Sequence, residues 1–354
     1  MKQNLVTQPA IGWDIGGAHL KAVLVSVDGC ALAVKQVYCP LWRGLHELEH
    51  AIDAVLSDFN AHHHFVTMTG ELADIFQNRH AGVVQIAQTL HRRLSQSPKI
   101  NAQVKYYAGN QGFVTIEAVG QYTADIASMN WLASVQYVAQ NVQQALFIDI
   151  GSTTTDIALI SNGKALVRGF NDAARMQLDE LVYTGVVRTP LMALAQKIPF
   201  AGQLTNVAAE CFATSADVYT LTGDLAQADN MAETADGAEK SIEASARRIA
   251  RMIGHDALDA PLSAWHHLAH AFKHAQLNLI KQAVFTQMSQ LKDCRNLSII
   301  GAGAGEFMVG ELARQLGVKY ASASDFIHAE SDTIKNRAKV SFPAYAVACL
   351  GLKS

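Results

Sequence analysis

The 354-residue sequence predicts an α/β protein built from two like domains. Three observations carry that expectation. Apolar runs of strand length end repeatedly in glycine-rich turns. The succession strand, glycine turn, strand, hairpin, strand occurs twice, 135 positions apart when counted from Asp14 to Asp149. A period that long means duplicated domains rather than a solenoid. A third glycine run, Gly301-Ala302-Gly303-Ala304-Gly305, follows an apolar strand and opens a helix.

Taken in chain order, residues 10–14 and 21–27 read as strands around the turn Gly16-Gly17-Ala18, and 31–38, rich in Val and Leu, completes a meander. Residues 45–59 place Leu45, Leu48, Ile52, Val55, Leu56 and Phe59 on one helical face. A short strand, 65–68, ends at Thr69-Gly70-Glu71, and 82–95 reads as helix. The pattern then restarts: strand 145–149, turn 151–154, strand 155–160, the hairpin signal Asn162-Gly163 and strand 164–168. Residues 205–255 are Ala-rich and read as helical, broken by an acidic loop at 222–237. A long helix at 262–290, a strand at 297–300, a helix at 306–316 and a last apolar helix at 343–352 complete the order. The first domain is expected over 1–140 with completion by 341–354, the second over 141–340.

Composition excludes several classes. Half the residues are apolar and 17% are charged, which is neither a disordered chain nor a small disulfide scaffold. A net charge of −3 lacks the basic surplus of a nucleic-acid binder. The five cysteines form no C-x-x-C pair and read as reduced thiols. No apolar run spans a bilayer, and Asp14 and Gly16 interrupt any leader-like core near the start. A cytoplasmic protein acting on small molecules, without nucleic-acid or membrane partners, is expected; a homo-oligomer is left open.

The turns carry the chemistry. Glycine lets backbone N–H groups approach a phosphate oxygen closely. Asp14 and Asp149, each ending a strand, are placed to hold Mg²⁺ through water. Gly16 and Gly17 line the first turn, and Lys21 reaches back toward phosphate as a point charge. Gly151, Ser152, Thr153 and Thr154 line the second, with Asp156 beyond it. Gly301, Gly303, Gly305 and Glu306 aim a helix start at an anion. Each turn alone also fits a purely structural role; their order is the specific signal. The histidines at 266, 270 and 274 share a helical face but lack a further ligand, and read as surface residues.

With Asp14-Ile-Gly-Gly, Asp149-Ile-Gly-Ser-Thr-Thr-Thr-Asp156 and Ile300-Gly-Ala-Gly-Ala-Gly, the chain resembles the actin, sugar-kinase and heat-shock-chaperone superfamily. That resemblance implies duplicated ribonuclease-H-like domains flanking a central cleft, two phosphate motifs and an adenosine motif, with Mg²⁺ and ATP or another phosphate-bearing ligand as cofactors. More narrowly, WDIGGA at 13–18, MTGELAD at 68–74, Asn130-Trp131, TGVVRTP at 184–190, ADVY at 216–219 and ADG at 235–237 are similar to the hydantoinase A/oxoprolinase-related branch tied to tetrahydromethanopterin-linked one-carbon metabolism. This implies methanofuran- or methylofuran-type biosynthesis. An aminomethylfuran diphosphate would be joined to a phenolic, γ-glutamyltyramine- or tyrosine-type acceptor with release of pyrophosphate. Ala18-His19 stands where many kinases of the superfamily have threonine, a departure that speaks against ordinary γ-phosphate transfer.

On that chemistry, the phenol needs a general base, and Asp156 and Glu71 are the two candidates. Glu71 reads equally as a carboxylate at a helix N-terminus. Arg188 fits a substrate carboxylate, Asn130 and Trp131 an aromatic substrate, and Asp217 and Asp236 an aminomethyl group or a second metal; an exposed structural role for Arg188, core packing for Trp131 and loop solvation for the two aspartates are the competing readings. Two other functions stay open on the same fold: an ATP-dependent small-molecule kinase or oxoprolinase-type amidohydrolase, and a non-catalytic nucleotide switch.

Overall fold

A computed structural model describes residues 8–96 and 102–354. The expected absence of a leader falls partly on residues 1–7, outside the described residues. The chain divides into two units. The first takes in the chain up to Gln144 with Ile160–Ala174 and Ser322–Ser354; the second comprises Ala145–Leu159 and Arg175–Ala321.

In the first unit, β1 (Ala10–Ile15), β2 (His19–Val25) and β3 (Ala31–Tyr38) form the antiparallel meander. Next come α1 (Leu45–Asp58), β4 (His63–Met68), α2 (Arg79–Ser95), β5 (Gln103–Tyr107) and β6 (Phe113–Val114), then α3 (Thr123–Ile126) and α4 (Asn130–Ala139). The sheet order is β3-β2-β1-β4-β5-β6, with β4 parallel to both β1 and β5. Strand β1 is buried on both faces. Alternation sends Ile11, Trp13 and Ile15 into a core shared with Leu48 and Ile52 of α1 and Val83 and Ile86 of α2.

The opening recurs with β7 (Gln144–Ile150) and β8 (Thr155–Ser161), which begin the second unit, and the short β9 (Lys164–Leu166), which groups with the first. After α5 (Asp172–Gln177) come β10 (Leu181–Val182), the hairpin β11 (Lys197–Phe200) and β12 (Gln203–Asn206), α6 (Ser215–Thr222), α7 (Ile242–Arg251) and α8 (Leu262–Met288). Then β13 (Ser298–Ala302), α9 (Glu306–Leu316) and β14 (Lys319–Ser322) complete a sheet ordered β10-β8-β7-β13-β14. Its core joins Ile148 and Ile150 to Trp265 and Phe272 of α8 and Val309 of α9.

The chain then returns to the first unit as α10 (Asp332–Val340) and α11 (Phe342–Gly351). A Cβ on Gly12 of β1 would overlap the Ala344 carbonyl, and one on Gly351 would overlap the Phe65 ring. Glycine at those two points lets α11 lie directly on β1 and β4.

The unit boundaries differ from the expected 1–140 and 141–340. Residues 160–174 and 322–340 group with the first unit. Gly163 N donates to Gln143 O at 3.1 Å, and Ala31 N donates to His328 O at 2.8 Å. The Ala-rich stretch is also less helical than expected. Ala201 and Gly202, with φ of 48° and 78°, make a tight turn between β11 and β12, so that helix begins only at Ser215.

Candidate functional site

The two glycine turns are closed by the same backbone bond in the same register. Gly16 N donates to His19 O and Gly151 N to Thr154 O, both at 2.9 Å. Each turn is then clamped by a loop from elsewhere in its own unit. In the first, Cys39 N donates to Ala18 O at 2.8 Å and Leu41 N to Gly17 O at 3.0 Å. In the second, Val186 N donates to Gly151 O at 3.0 Å, while Val187 and Arg188 both donate to Ser152 O, at 3.1 and 2.9 Å. Gly185 must be glycine there, because a Cβ would stand 2.5 Å from the Ser152 carbonyl carbon and Thr153 N.

A neighbouring parallel strand supports each turn. In the first unit it is β4, which pairs Thr67 with Asp14 and sends Thr69 N to Ile15 O at 2.9 Å. In the second it is β13, which pairs Ala302 with Asp149 and sends Gly305 N to Ile150 O at 2.9 Å. The third glycine run is thus the second unit's counterpart of Thr69-Gly70-Glu71. Gly303 has φ +82°, and a Cβ on it would overlap an Asp149 carboxylate oxygen. Gly305 lies against Ile150 and Val186, whereas Gly301 serves packing: its Cβ position lies 3.0 Å from Glu306 and Val309. Both turns lie at the carboxyl ends of parallel strands, where open α/β sheets bind ligands. Gly17 faces open space, with nothing within 4 Å of its Cβ position.

The first unit therefore brings Asp14, Gly16, Gly17 and Glu71 together, and the second Asp149, Gly151, Ser152, Thr153, Thr154, Gly303, Gly305 and the backbone of Arg188. Glu306, buried at the start of α9, accepts a hydrogen bond from the Tyr320 hydroxyl. Behind the second turn, Ser215 Oγ at the start of α6 and Gln276 Nε2 of α8 both donate to Gly185 O at 2.8 Å, which fixes the clamp.

Glu71 follows β4 in a single 3₁₀ turn and is 1% exposed. Ser128 Oγ donates to Glu71 Oε1 at 2.5 Å, and Oε2 has no hydrogen-bond partner among the described residues. Burial pushes the carboxyl up to about 7, against the opposing pull of the Ser128 bond and of Arg79. Ser128 holds a left-handed backbone, φ 55°, in the segment that bridges Ala127 to Met68. Thr67, opposite Asp14, likewise keeps a buried hydroxyl without a hydrogen-bond partner among the described residues. Neither Ser128 nor Thr67 carried a sequence signal, since both reach the turn only through strand pairing.

Other expected site residues have structural engagements. Asp156 accepts from the buried Arg175 guanidinium at 2.7 Å. Lys21 donates to Val340 O at 2.8 Å, at the C-terminal end of α10, where a cation is favoured. Trp131 is 2% exposed in α4, so its ring packs in the protein and is not presented to a substrate. Asn130 Oδ1 accepts from Trp131 N at 2.7 Å. Asp217 uses one oxygen on Arg248 and the other to cap α6 through Thr214 N, at 2.8 and 3.0 Å. Asp236 is bound to the same Arg248 at 3.0 Å. Asp217 thus ties α6, and Asp236 the acidic loop, to Arg248 of α7, which commits both carboxylates to structural ion pairs. Among the described residues no group of three His, Cys, Asp or Glu could hold a metal ion, and no helix is long and apolar enough to cross a membrane.

This geometry can be set beside known proteins. A γ-glutamylaminoethyl-phenoxymethyl-furanyl methanamine synthase from Methanocaldococcus jannaschii is 32% identical over 246 residues, 69% of this chain and 71% of that protein. The synthase of the same name from Methanococcus vannielii is 31% identical over 169 residues, 48% of this chain and 75% of that one. Among solved structures, nucleotide-free acetone carboxylase aligns over 88% of this chain and 68% of its own, with a TM-score of 0.57 and 10% identity. That likeness shows the fold alone, the α/β architecture of the actin-like ATPases. The hydantoinase/oxoprolinase family model matches residues 63–331, and with three quarters of its length inside that match the chain belongs to the hydantoinase/oxoprolinase family.

Proposed function

We propose that this chain is a biosynthetic transferase that joins an arylmethyl diphosphate, of the aminomethylfuran type, to a phenolic acceptor. The observation that carries this is the Methanocaldococcus relative: its named product contains a phenoxymethyl link between a phenol and a furan, and the match spans two thirds of both proteins. Turns adapted to phosphate at the ends of parallel strands support it. In the step, the phenol oxygen bonds to the furan-bound CH₂ while the carbon–oxygen bond to the diphosphate breaks. Pyrophosphate leaves with the bonding electrons, and the furan ring spreads the positive charge that develops at carbon.

The residues divide the work. Backbone N–H groups of the glycine turns, with Ser152 and Thr153, bind the diphosphate and the charge that grows on it as it leaves. An aspartate ending the strand before each turn fits Mg²⁺ carried by a diphosphate and keeping much of its water. Asp14 and Asp149 are the carboxylates that would hold it, and when bound it supplies charge neutralisation to the leaving group. Glu71 takes the phenol proton. Its carboxyl, held near 7 with one oxygen uncommitted, suits that transfer near neutral pH, whereas Asp156 is engaged by Arg175.

The test is direct. The protein, Mg²⁺, aminomethylfuran diphosphate and a tyramine-type phenol should yield the ether and pyrophosphate, read by mass spectrometry and a pyrophosphate assay. ADP formation from ATP with no ether would assign the chain to ATP-dependent chemistry instead. Tight ATP binding with neither product would make it a nucleotide switch.

A further inference from the structure

We propose that Gln276 of α8 is a positioning residue for the second turn: through the Gly185 carbonyl it holds the loop that turns the Ser152 and Thr153 N–H groups toward the diphosphate. The inference deepens the reading above and rests on the second turn being a diphosphate site.

Gln276 is fully buried on α8, beside the core residues Phe272, Leu277 and Ile280. An amide in such surroundings is costly unless its polar groups are engaged. All of them are. Nε2 donates one proton to Thr184 Oγ1 and the other to Gly185 O, both at 2.8 Å, and Oε1 accepts from the Tyr219 hydroxyl at 2.6 Å. The amide can face only this way, because the Gly185 carbonyl has no proton to give. Gly185 O receives three donors in all: Gln276, Ser215 Oγ at 2.8 Å and Thr189 Oγ1 at 3.0 Å. With two lone pairs, that carbonyl is saturated and its peptide plane fixed.

From there the bonds run in a line to the turn. The Gly185 carbonyl shares its plane with Val186 N–H, which donates to Gly151 O at 3.0 Å. The Gly151 carbonyl in turn shares its plane with Ser152 N–H. Val187 and Arg188 hold Ser152 O in the same way, and that carbonyl is coplanar with Thr153 N–H. In a trans peptide the N–H points opposite to the C=O, so carbonyls held by the clamp turn both N–H groups away from it. Among the described residues, neither N–H donates to a backbone carbonyl. Both are therefore left for an anion, and each bond in the series polarises the next. Negative charge grows on the diphosphate as it departs, so a loss of aim or donor strength falls more on the transition state than on the bound substrate.

Gln276→Met keeps the length of the side chain and removes both donors. Free pyrophosphate carries the charge of the departed group, so its affinity reports the same difference. By calorimetry with Mg²⁺, Gln276→Met should weaken pyrophosphate about fivefold per folded molecule. It should also lower kcat for ether formation by about as much, with the donor KM within about twofold. Ser215→Ala takes a different donor from the same carbonyl and leaves α8 intact. It should weaken pyrophosphate about threefold, and it decides the matter if Gln276→Met does not fold. A residue that only packs the core would lower the melting temperature and leave these quantities unchanged. Native pyrophosphate affinity in the folded variants, a raised donor KM with unchanged kcat, or no pyrophosphate binding by the native protein would each overturn the assignment. The two proposals fail separately. Weakened pyrophosphate in the variants, with no ether formed by the native protein, removes the transferase and keeps the positioning role. Ether formation at the native kcat by Gln276→Met removes the positioning role and keeps the transferase.

Discussion

The two turns share a backbone and differ in almost everything laid upon it. Gly16 and Gly151 make the same closing bond, and loops from after β3 and β10 donate to the equivalent Gly17 and Ser152 carbonyls. Onto this common frame the second turn sets three hydroxyl residues and a glycine run that presses on Asp149. The first sets Ala18, the edge-to-face rings of His19 and Tyr38 and a buried carboxyl held near 7. Duplication has kept the backbone of the turn and let the side chains part: one copy carries hydroxyls and a second glycine run, the other aromatic rings and a raised carboxyl. The units are a repeated fold with unlike chemistry.

Substitutions can break that contrast or sharpen it, and the largest effects belong to the carboxylates. Asp14→Asn and Asp149→Asn should each lower ether formation by roughly 10³-fold with circular dichroism unchanged. Near-normal turnover in either variant would mean that only one turn handles charge. Next come the glycines. Gly303→Ala should cost about 3 kcal/mol in urea unfolding, because its φ is +82° and a Cβ overlaps Asp149. Gly17→Ala, facing open space, should cost under about 1 kcal/mol.

Glu71 gives an effect of similar size with a pH signature. Its carboxyl is raised in the folded state, so the unfolded chain releases that proton first, and stability should fall as pH rises from about 4.5 to about 7. The full loss is roughly 3 kcal/mol. Arg79 and Asp172, the charged groups facing it from α2 and α5, are ion-paired to each other at 2.6 Å. Glu71→Gln should flatten this slope in melts taken between pH 5 and 8, and should abolish ether formation if the base is assigned correctly. The smallest effect belongs to Lys21. Lys21→Met should cost about 1 kcal/mol, by uncapping α10, and leave pyrophosphate affinity within about twofold. A larger drop in affinity would return Lys21 to the phosphate site.

Much of this fold was legible where the local pattern is self-sufficient. The expected strand at 31–38 and helix at 306–316 coincide with β3 and α9, because alternation and amphipathic spacing with a terminal Gly317 leave little choice. The hairpin at 197–206 was missed since Pro199 and two polar positions mask its alternation, and β14 is too short and exposed to show a pattern. At the site, glycine announced all three turns. The clamps did not announce themselves, because Leu41 to Gly17 and Val187 to Ser152 are contacts between distant backbone atoms. Asp217 and Asp236 looked available in sequence; the Arg248 that satisfies both lies 31 and 12 residues further on. For Trp131 the sequence left stacking and core packing open, and which side of α4 meets the core is decided only by packing against α11.

The seating of α11 on β1 and β4, through Gly12 and its own Gly351, bears on how the protein is made. Strands β1 and β4 emerge early from the ribosome, yet the helix that covers them is translated only after the entire second unit. Domains fold as units during synthesis, so the inserted unit can complete itself first while the leading sheet waits with one apolar side bare. A stop codon just ahead of Phe342 would strand it there, a nascent sheet left to chaperones or to aggregation.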